Sequence, residues 1–541
     1  MKSSLPVGLR FLMPSVADLL FVVLLALFVF TVLQQRLLID AGTGWHLRNG
    51  QHITITDSLP RSDPFSYTMA GKAWYAWEWL YDLMAWLIFA RLGLNGLVLV
   101  SALMIAFTFA LLFRIALRES HNLPVTLLFV LLSIGGSMIH VLARPHLVTW
   151  LLTLIYFVVL ERSESHPHIT EAKLFSGSRR RLLWLPFLML LWVNLHGGFV
   201  IGLMLITLFF IGALWTTISS HDARHRVHGI TYAKSLAVTL LLSGIASFIN
   251  PYGATLYVHL NEYLSNKFFM DHIDEFLSPS FHGVAQKCFE GLVLLSVVSI
   301  AISRRKLRLS HLLVVLFAIH AALFAARNIP ISSILLTLVI APLLSHAIST
   351  AARSEEVSHG VSSFLHRCEG FAGRMAEMDL NLRGHLLPVA LTLFAVVICA
   401  NGGWLSTRRV MDAHFDPKRF PVGATEFIAR QGIHDHVFNP DAWGGYLIYR
   451  LYPDYRVYVD DRHDLYGETF LKEYLKVMDV ELGWKEVLDE RKIDWVLIPP
   501  KIALSNTLKE SPGWKVAYDD GVAILFQRTG SATGSMENAK P

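Results

Sequence analysis

The sequence has little cysteine and little charge. Its three cysteines, Cys288, Cys368 and Cys399, lie far apart and lack the spacing of a disulfide framework or a zinc site. Only 16% of the 541 residues are charged, whereas 53% are hydrophobic and the mean hydropathy is +0.46. A chain of this composition is too apolar for a soluble protein, so it is predicted to be a polytopic membrane protein.

Long basic tracts, internal repeats and low-complexity segments are also absent from the sequence. The formal net charge of +5 is small for this length and is concentrated in short clusters such as Arg179 to Arg181 and Arg304 to Lys306. A nucleic-acid-binding surface needs a denser basic patch, so no nucleic acid is expected as a partner. The clusters instead indicate which loops face the cytoplasm, because cytoplasmic loops carry the excess of Lys and Arg.

The amino end lacks the small-residue cleavage pattern of a signal peptide. Lys2 and Arg10 precede an apolar run from about residue 16 to residue 39, which is longer than a signal-peptide core. Because a membrane span needs about 20 apolar residues, this run is predicted to stay attached as a first transmembrane helix. Asp40 would then emerge on the outer side.

Hydropathy and the distribution of Lys and Arg together predict roughly eleven crossings. The segment from Trp77 to Phe89 is short and rich in Trp and Tyr, and it is predicted to lie in the interface, since a crossing there would move every basic cluster outside. After the first helix, spans are predicted at about 94–117, 124–143, 146–160, 182–195 and 199–218, then ending near 250, 303 and 326, and finally at 329–348 and 385–404. An odd count places the carboxyl end outside, with residues 349–384 as a cytoplasmic loop.

The predicted domains follow from these spans. Residues 1–404 form a transmembrane domain whose outer loop, residues 40–93, includes the interfacial helix. Residues 405–541 have the composition of a soluble extracytoplasmic domain, long enough for one small core. Its patterns predict helices at 424–431, 470–478 and 484–491 and strands at 446–451, 456–459, 494–498 and 522–526. The fold class is therefore a polytopic α-helical membrane protein with a carboxyl-terminal α/β domain, ending in a polar tail after Arg528 that is predicted to be disordered.

Asp40, Glu78 and Asp82 are the candidate carboxylates on the outer side. An ionisable group at this depth is costly and typically lines a polar cavity. We predict that Asp40, which is fixed best by its place at the helix exit, acts as a general base or holds a divalent cation such as Mg²⁺ or Mn²⁺, with His46 and Glu78 assisting. The plainer alternative is that Asp40 only stops the helix and the glycines after it only turn the chain.

Arginine, histidine and asparagine side chains collect at the outer ends of the predicted spans. Arg144 and Arg327 each lie at a span end with a proline soon after, where the helix should break and leave a guanidinium suited to a phosphate. His146, Asn194 and His196 share these ends, and the turn at His196 joins two short spans, so it is predicted to floor a cavity. The plainer alternatives are an arginine that snorkels to the interface and a structural histidine.

The outer domain contains weaker motifs. The Trp-Gly-Gly-Tyr run at 443–446 could stack on a sugar, although a tight turn between core aromatics is the preferred interpretation. Asp460, Asp461 and Asp464 could hold a cation, but a solvated turn is preferred. Asp57 and Asp63 are assigned to turns.

These features resemble the GT-C superfamily of membrane glycosyltransferases, which includes protein mannosyltransferases, aminoarabinose transferases and oligosaccharyltransferases. The shared features are a first helix, a large outer loop that opens with an acidic residue (here Asp40), interfacial helices in that loop, many further spans and a soluble carboxyl-terminal domain. More closely, the chain is similar to a bacterial group of polytopic membrane proteins whose glycosyltransferase activity is itself inferred. The similar runs are 40–50, 60–67, 77–80, 194–198, 327–330, 443–446 and 460–462.

The resemblance implies a hexosyl- or pentosyltransferase of the bacterial inner membrane, with a polyprenyl-phosphate-linked sugar as donor and a glycan, lipid or protein as acceptor on the outer side. Asp40 takes the place of the superfamily's acidic residue. Several members carry paired acidic residues there, whereas Ala41 follows Asp40 here, so Glu78 or His46 would supply the second group. The candidate carboxylate, imidazole and guanidinium groups are expected to meet in one outer hollow.

Two other functions stay open. A transporter or flippase of lipid-linked saccharide predicts charged residues and broken helices in mid-span, of which the sequence has few. A non-catalytic membrane assembly protein predicts that Asp40→Asn leaves function intact.

Overall fold

The computed structural model describes residues 7–164, 175, 177–354, 358–434 and 436–529. The chain divides into two compact units, Met1–Gln34 with Asn95–Asp412 and Gln35–Leu94 with Ala413–Pro541. We call the first the membrane unit and the second the α/β unit. The tail predicted to be disordered after Arg528 lies, apart from Thr529, outside the described residues.

Helices make up most of the described chain. In chain order they are α1 Val7–Leu12, α2 Val16–Phe30, α3 Gly42–Thr56, α4 Trp79–Ser120, α5 Leu123–Ser137, α6 His146–Glu164, α7 Trp184–Leu195, α8 Val200–Ser219, α9 Ala223–Ser247, α10 Thr255–Ser265, α11 Lys267–His272, α12 Val284–Ile302, α13 Leu309–Phe324, α14 Ile329–Ala352, α15 His359–Asn381, α16 Leu386–Ala400, α17 Val422–Gln431, α18 Asp441–Leu451, α19 His463–Tyr466, α20 Glu468–Met478, α21 Trp484–Glu490 and α22 Ala503–Glu510. The strands are β1 Trp404–Leu405, β2 Arg408–Arg409, β3 Val437–Phe438, β4 Trp495–Ile498, β5 Trp514–Asp519 and β6 Ile524–Arg528.

The apolar helices make this chain a multi-pass membrane protein. Among the described residues, eight helical segments are long and apolar enough to cross a membrane, and nine are if the bent pair α15 and α16 counts as one span. Two of the roughly eleven predicted crossings correspond to shorter helices, α7 with 12 residues and α13 with 16. The predicted fold class, a polytopic helical protein with a small carboxyl-terminal α/β domain, is confirmed.

The segment predicted to be an interfacial helix at 77–89 forms the first part of a helix, α4, which begins at Trp79, and its place in the interface stays a prediction. Gly93 interrupts the helical geometry with φ 61° and ψ −160°. A residue without a Cβ adopts this positive φ at little cost. The break falls one residue before the span predicted at 94–117, so a single glycine separates the two parts of α4.

The segment predicted as a loop at 349–384 contains a helix, α15. Its carboxylate Asp379 accepts a hydrogen bond from the Val16 backbone N–H at 2.6 Å, next to the start of α2. Arg114 donates to the carbonyl of Asp379 at 3.0 Å, which ties the end of α15 to α4. The helix escaped prediction because its buried face is made of small residues, Ala372 and Ala376, which give a weak apolar pattern.

The α/β unit contains a four-stranded sheet with strand order β3-β4-β6-β5. β3 pairs parallel with β4, and the other two pairs are antiparallel. The predicted helices at 424–431, 470–478 and 484–491 and the strands at 494–498 and 522–526 are confirmed by α17, α20, α21, β4 and β6.

The strand predicted at 446–451 is wrong, because these residues lie in helix α18. Residues 443 to 448 are buried without interruption, so they show no periodic pattern that would distinguish a helix from a strand. The predicted strand at 456–459 is an extended segment with one isolated parallel bridge, between Val457 and Ser66.

The loop between the first helix and α4 folds together with the carboxyl-terminal segment. Helix α3 packs against α18. Phe65 accepts a hydrogen bond from Val457 at 3.0 Å, and Tyr67 donates to the Val457 carbonyl at 3.1 Å. Thr68 also donates to the Tyr458 carbonyl at 2.6 Å. Two segments predicted as separate outer parts therefore share one core.

Candidate functional site

A buried polar cluster joins α3 to α4 in the α/β unit. His46 Nδ1 lies 2.5 Å from Asp82 Oδ1, and Asn49 Nδ2 donates to Asp82 Oδ2 at 2.6 Å. Glu78 Oε2 lies 3.8 Å from His46 Nε2. His46, Asn49 and Asp82 are at most 1% exposed, and the Glu78 side chain is 13% exposed. We call these four residues the imidazole cluster.

The spacing of the sequence explains how this cluster forms. His46 and Asn49 are three residues apart on α3, so both side chains project from one face toward Asp82. Gly50 allows the two helices to meet, because a Cβ there would lie 2.0 Å from the Asp82 carbonyl oxygen. An ionised carboxylate only accepts hydrogen bonds, so the imidazole donates its Nδ1 proton to Asp82 and turns Nε2 toward Glu78. Such a pair can hold or move a proton.

Asp40 lies at the start of α3 and is half-buried. Its Oδ1 accepts a hydrogen bond from the Gly42 backbone N–H at 2.8 Å, so the carboxylate helps to begin the helix. The alternative in which the following glycines turn the chain is wrong, because both lie within α3. Gly44 instead permits close packing, since a Cβ there would lie 2.2 Å from the Gly445 carbonyl oxygen.

A second network lies directly beside the imidazole cluster. Trp45 stacks on His46 with ring centroids 3.6 Å apart, and its indole N–H donates to Asp461 at 2.9 Å. The next residue, Arg462, is 3% exposed and forms ion pairs with Asp63 at 2.8 Å and with Asp460 at 2.6 Å. Burial alone would lower the pKa of the guanidinium, but the two carboxylates outweigh burial and raise it well above its usual value.

This network corrects the weaker sequence hypotheses. Asp460 is fully buried against Arg462 and is not part of a solvated turn. Asp63 does accept turn-type hydrogen bonds from Phe65 and Ser66, but it is also an ion-pair partner of Arg462. Asp57 is an exposed residue with φ 49° that ends α3, as a turn residue should.

The Trp-Gly-Gly-Tyr run forms neither a turn nor a sugar platform. It lies within α18, where Trp443 and Tyr446 are 6% and 2% exposed. The Trp443 indole N–H donates to the Arg419 carbonyl at 3.0 Å. Its glycines allow other backbone segments to approach, since a Cβ on Gly444 would lie 2.2 Å from the Val459 carbonyl oxygen.

A cationic cluster forms in the membrane unit, where α5 ends and where α6 and α14 begin. His146 Nε2 lies 2.8 Å from the His140 carbonyl oxygen, and the two imidazole rings are 4.2 Å apart. Arg144 and Arg327 both lie close enough to act electrostatically on these imidazoles. Glu275 forms an ion pair with Arg327 at 2.9 Å and lies 3.7 Å from His140 Nε2. We call these five residues the guanidinium cluster.

The two predicted helix breaks form the edges of this cluster. α6 begins at His146, directly after Pro145, and Arg144 lies in the turn before it. Arg327 lies in a short 3₁₀ turn, Ala326–Asn328, directly before α14. Pro145 restricts the residue before it, Arg144, to non-helical backbone. Pro330 lies in the first turn of α14, so Arg327 is held just before that helix.

His196 and Asn194 lie at the junction of α7 and α8. The His196 imidazole is 2.7 Å from the Thr149 hydroxyl and accepts a hydrogen bond from the Gly198 N–H at 3.0 Å. It also acts electrostatically on His140, so it belongs with the guanidinium cluster. The Asn194 amide donates to the Leu190 and Ile249 carbonyls, both at 2.9 Å, which ties the end of α7 to the end of α9.

Sequence reasoning missed three residues of these clusters. His140 lies one turn before the proline break, and Glu275 lies in a segment of mixed aromatic and charged residues, so neither position had a local signal. Asn49 follows His46 by three residues, and this helical spacing could have revealed it. Among the described residues, no group of three or more His, Cys, Asp or Glu side chains is placed to hold a metal ion. Asp40 as a cation ligand stays a prediction, and so does its meeting with the arginines.

No family model and no curated protein sequence matches the chain. Solved structures do match. The oligosaccharyltransferase of Archaeoglobus fulgidus in its apo form is 10% identical with a TM-score of 0.51, over 89% of this chain and 68% of that chain. The same archaeal enzyme tethered to an acceptor peptide that contains an NVT sequon is 12% identical with a TM-score of 0.50, over 95% of this chain and 73% of that chain.

These likenesses extend over nearly the whole chain, through both the spans and the carboxyl-terminal segment. At such low identity they show the fold alone. The fold is that of the archaeal oligosaccharyltransferase, one of the proteins to which the sequence was likened.

Proposed function

We propose that this protein is a GT-C glycosyltransferase that moves a sugar from a polyprenyl-phosphate donor to an acceptor at the outer face of the bacterial inner membrane. The observation that carries the proposal is the guanidinium cluster, which collects two arginines and two histidines at one end of apolar spans in an oligosaccharyltransferase-like fold. Buried or half-buried cations at a membrane surface suit the phosphate of an amphiphilic donor better than they suit an apolar substrate.

Arg144 and Arg327 are the proposed donor-phosphate ligands, with His146 and His196 beside them. Arg327 forms an ion pair with Glu275, and we infer that a phosphate oxygen of the donor would take the place of this carboxylate. Donor binding would replace this internal anion with the phosphate, so Glu275 keeps the arginine in place until then. Asn194, whose amide hydrogens are used by backbone carbonyls, would position the α7–α8 turn.

The proposed reaction is a displacement at the anomeric carbon of the sugar. A base takes the proton of the acceptor's nucleophilic group, which then forms a bond to that carbon, and the bond to the phosphate oxygen breaks with its electron pair. Asp40 is the proposed base or cation ligand. His46 and Glu78 would pass on the proton, and Asp82 would hold the imidazole in place. A divalent cation bound at Asp40 would neutralise the leaving phosphate.

The acceptor is proposed to be a glycan, a lipid or a protein. A peptide acceptor is the most direct suggestion, since the archaeal enzyme of this fold was captured with an acceptor peptide. A flippase for lipid-linked saccharide is the alternative function, and it shares the need for a phosphate site but not for the imidazole cluster. An assembly protein would need neither.

The test is sugar transfer by membranes that contain the full-length protein, offered a panel of polyprenyl-phosphate and polyprenyl-diphosphate sugars. Asp40→Asn is expected to lower turnover by about 100-fold or more, the usual size of a general-base contribution. Arg327→Gln is expected to raise the donor KM about tenfold, by loss of a charge-assisted hydrogen bond. Asp57→Asn is the matched control, because asparagine also adopts the left-handed backbone that ends α3.

Equal turnover by Asp40→Asn and Asp57→Asn would remove the catalytic assignment. Flipping of lipid-linked saccharide without any transfer would favour the flippase. Thermal midpoints of the purified variants separate these outcomes from misfolding. A reporter fused after Trp404 that is active only in the cytoplasm would overturn the proposed outer location.

A further inference from the structure

A second charged site lies at the other ends of the spans that carry the guanidinium cluster. Helix α6 runs from His146, in that cluster, to Glu164. Arg308 is the residue directly before α13. A cavity of about 120 Å³ opens here between α4, α6, α13 and α14. Its lining residues are Ile115, Ala116, Glu119, Phe157, Val158, Glu161, Arg162, Arg305, Lys306, Leu307, Arg308, His311, Leu338, Val339, Pro342 and Leu343.

One wall of the cavity is fixed by ion pairs. Arg308 forms a hydrogen-bonded ion pair with Glu161 and lies 3.1 Å from Glu164. His311 Nε2 lies 2.8 Å from the other Glu161 oxygen. These contacts tie the start of α13 to the end of α6, so the cavity is built between helix ends that do not separate freely.

The mouth of the cavity carries cations of a different kind. Arg162, Arg305 and Lys306 have no side-chain hydrogen bond or ion pair with any residue that the structure describes, and the last two are exposed. Across the whole lining, cationic side chains outnumber carboxylates by four to two. The inner wall, in contrast, is apolar and is formed by residues such as Phe157, Leu338 and Leu343. The site therefore combines positive charge at its opening with an apolar interior.

This combination selects an amphiphilic anion. A soluble anion would leave the apolar wall unfilled. A zwitterionic lipid carries a positive charge of its own, which the cations at the mouth would repel. A volume of about 120 Å³ is enough for a phosphate group but not for a whole lipid. The glycerol part of the lipid would contact the apolar wall, and the acyl chains would extend from the cavity into the bilayer. Basic pockets between transmembrane helices commonly hold anionic headgroups in this way.

We propose that this cavity binds the headgroup phosphate of an anionic glycerophospholipid, with Arg162, Arg305 and Lys306 as its ligands. The site is separate from the proposed donor site, because the two lie at opposite ends of α6 and α13. It would hold a structural lipid where α4, α6, α13 and α14 converge.

The test is native mass spectrometry of the delipidated full-length protein, titrated with phosphatidylglycerol or phosphatidylcholine. The wild type is expected to bind one phosphatidylglycerol at least tenfold more tightly than phosphatidylcholine. The double variant Arg162→Gln/Arg305→Gln should lose about 10- to 30-fold of that affinity. The matched control is Arg224→Gln/Arg226→Gln, which removes the same charge from exposed residues at the start of α9, at the same end of the spans, and should change the affinity less than twofold.

Three results would overturn the proposal. Equal losses in the two double variants would mean that surface charge in general attracts the lipid. Equal binding of the two lipids would show that the cations do not select a headgroup. Displacement of phosphatidylglycerol by millimolar inorganic phosphate would assign the cavity to a soluble anion. Unchanged thermal midpoints without lipid would show that the variants fold, and a variant that does not fold would be replaced by Lys306→Gln, whose side chain is exposed.

Discussion

Replacement of Arg462 by methionine is expected to destabilise the α/β unit strongly. The guanidinium is the only cation in the described structure that forms ion pairs with both Asp63 and Asp460, and both carboxylates are fully buried. Methionine would leave two buried negative charges close together. It would also remove a cation that lies 4.6 Å from the Trp74 ring centre.

The size of the effect follows from what each carboxylate keeps. Removing one partner of a buried ion pair typically costs about 3–5 kcal/mol. Asp63 would still accept hydrogen bonds from the Phe65 and Ser66 backbone, and Asp460 would still accept one from the Tyr466 hydroxyl at 2.9 Å. These remaining donors place the expected loss near the lower end, about 3 kcal/mol.

The assay is thermal unfolding of the full-length protein in detergent, followed by tryptophan fluorescence. For a unit of this size a loss of about 3 kcal/mol lowers the midpoint by about 6–12 °C. Since Trp45 and Trp74 lie beside the guanidinium, their emission should also shift to the red before the main transition. Trp45 stacks on His46, so transfer activity should fall with the same variant.

The control is Arg430→Met, which removes an arginine that is 78% exposed and pairs with an exposed glutamate at 3.5 Å. Exposed pairs contribute little, so its midpoint should stay within about 2 °C. Adding Asp63→Asn to Arg462→Met should recover part of the loss by removing one unpaired charge. If Arg462→Met unfolds like Arg430→Met, the buried ion pairs do not hold this unit together.

Two further outcomes are expected. Gly445→Ala should lower the free energy of unfolding by about 1–3 kcal/mol, because the added Cβ would lie 2.3 Å from the Ala41 backbone oxygen. Gly244→Ala is the control and should be neutral or stabilising, because the space around Gly244 is open. Equal thermal midpoints would refute the close packing of α3 and α18. Burial lowers the pKa of His463, but its hydrogen bond to Asp441 outweighs burial and raises it, and the pKa of Asp441 is lowered despite burial. The pair should stabilise the folded protein most between pH 3.8 and pH 6.5, the ordinary pKa values of the two groups, and less as the pH rises through the raised histidine pKa. This alkaline loss of stability should be about 1 kcal/mol, and His463→Gln should abolish it. An unchanged pH profile of the thermal midpoint in that variant would contradict the prediction.

The membrane unit was the more predictable part of the fold. Its spans are long apolar runs, and the proline breaks beside Arg144 and Arg327 are local signals that act through backbone sterics. Helix α15 was not predicted, because its packing uses small residues and one distant carboxylate, Asp379, in place of an apolar stripe. The sequence carries no local sign of such a long-range contact.

The ionisable residues of the candidate site could be predicted from the sequence, but the residues with which they pair could not. His46, Glu78 and Asp82 stood out as ionisable groups near an interface, and the structure joins them in one cluster. Nothing local in the sequence pairs Asp63 with Arg462, which lie almost 400 residues apart along the chain. The turn preferred for Gly445 was wrong for a related reason. Gly44 and Gly445 meet across two helices, and only the folded structure distinguishes a close approach from a turn.

The joint core of the first loop and the carboxyl-terminal segment has a consequence for biogenesis. At ordinary elongation rates a ribosome needs roughly 20–75 s to travel from Leu94 to Arg462. During that interval Asp63 and the backbone around Phe65 have left the ribosome, while the strand-like segment and the arginine that complete their fold have not yet been made. Nascent chains therefore expose an early-made segment to quality-control proteases until synthesis nears its end, and any truncation ahead of residue 455 would leave that segment permanently exposed.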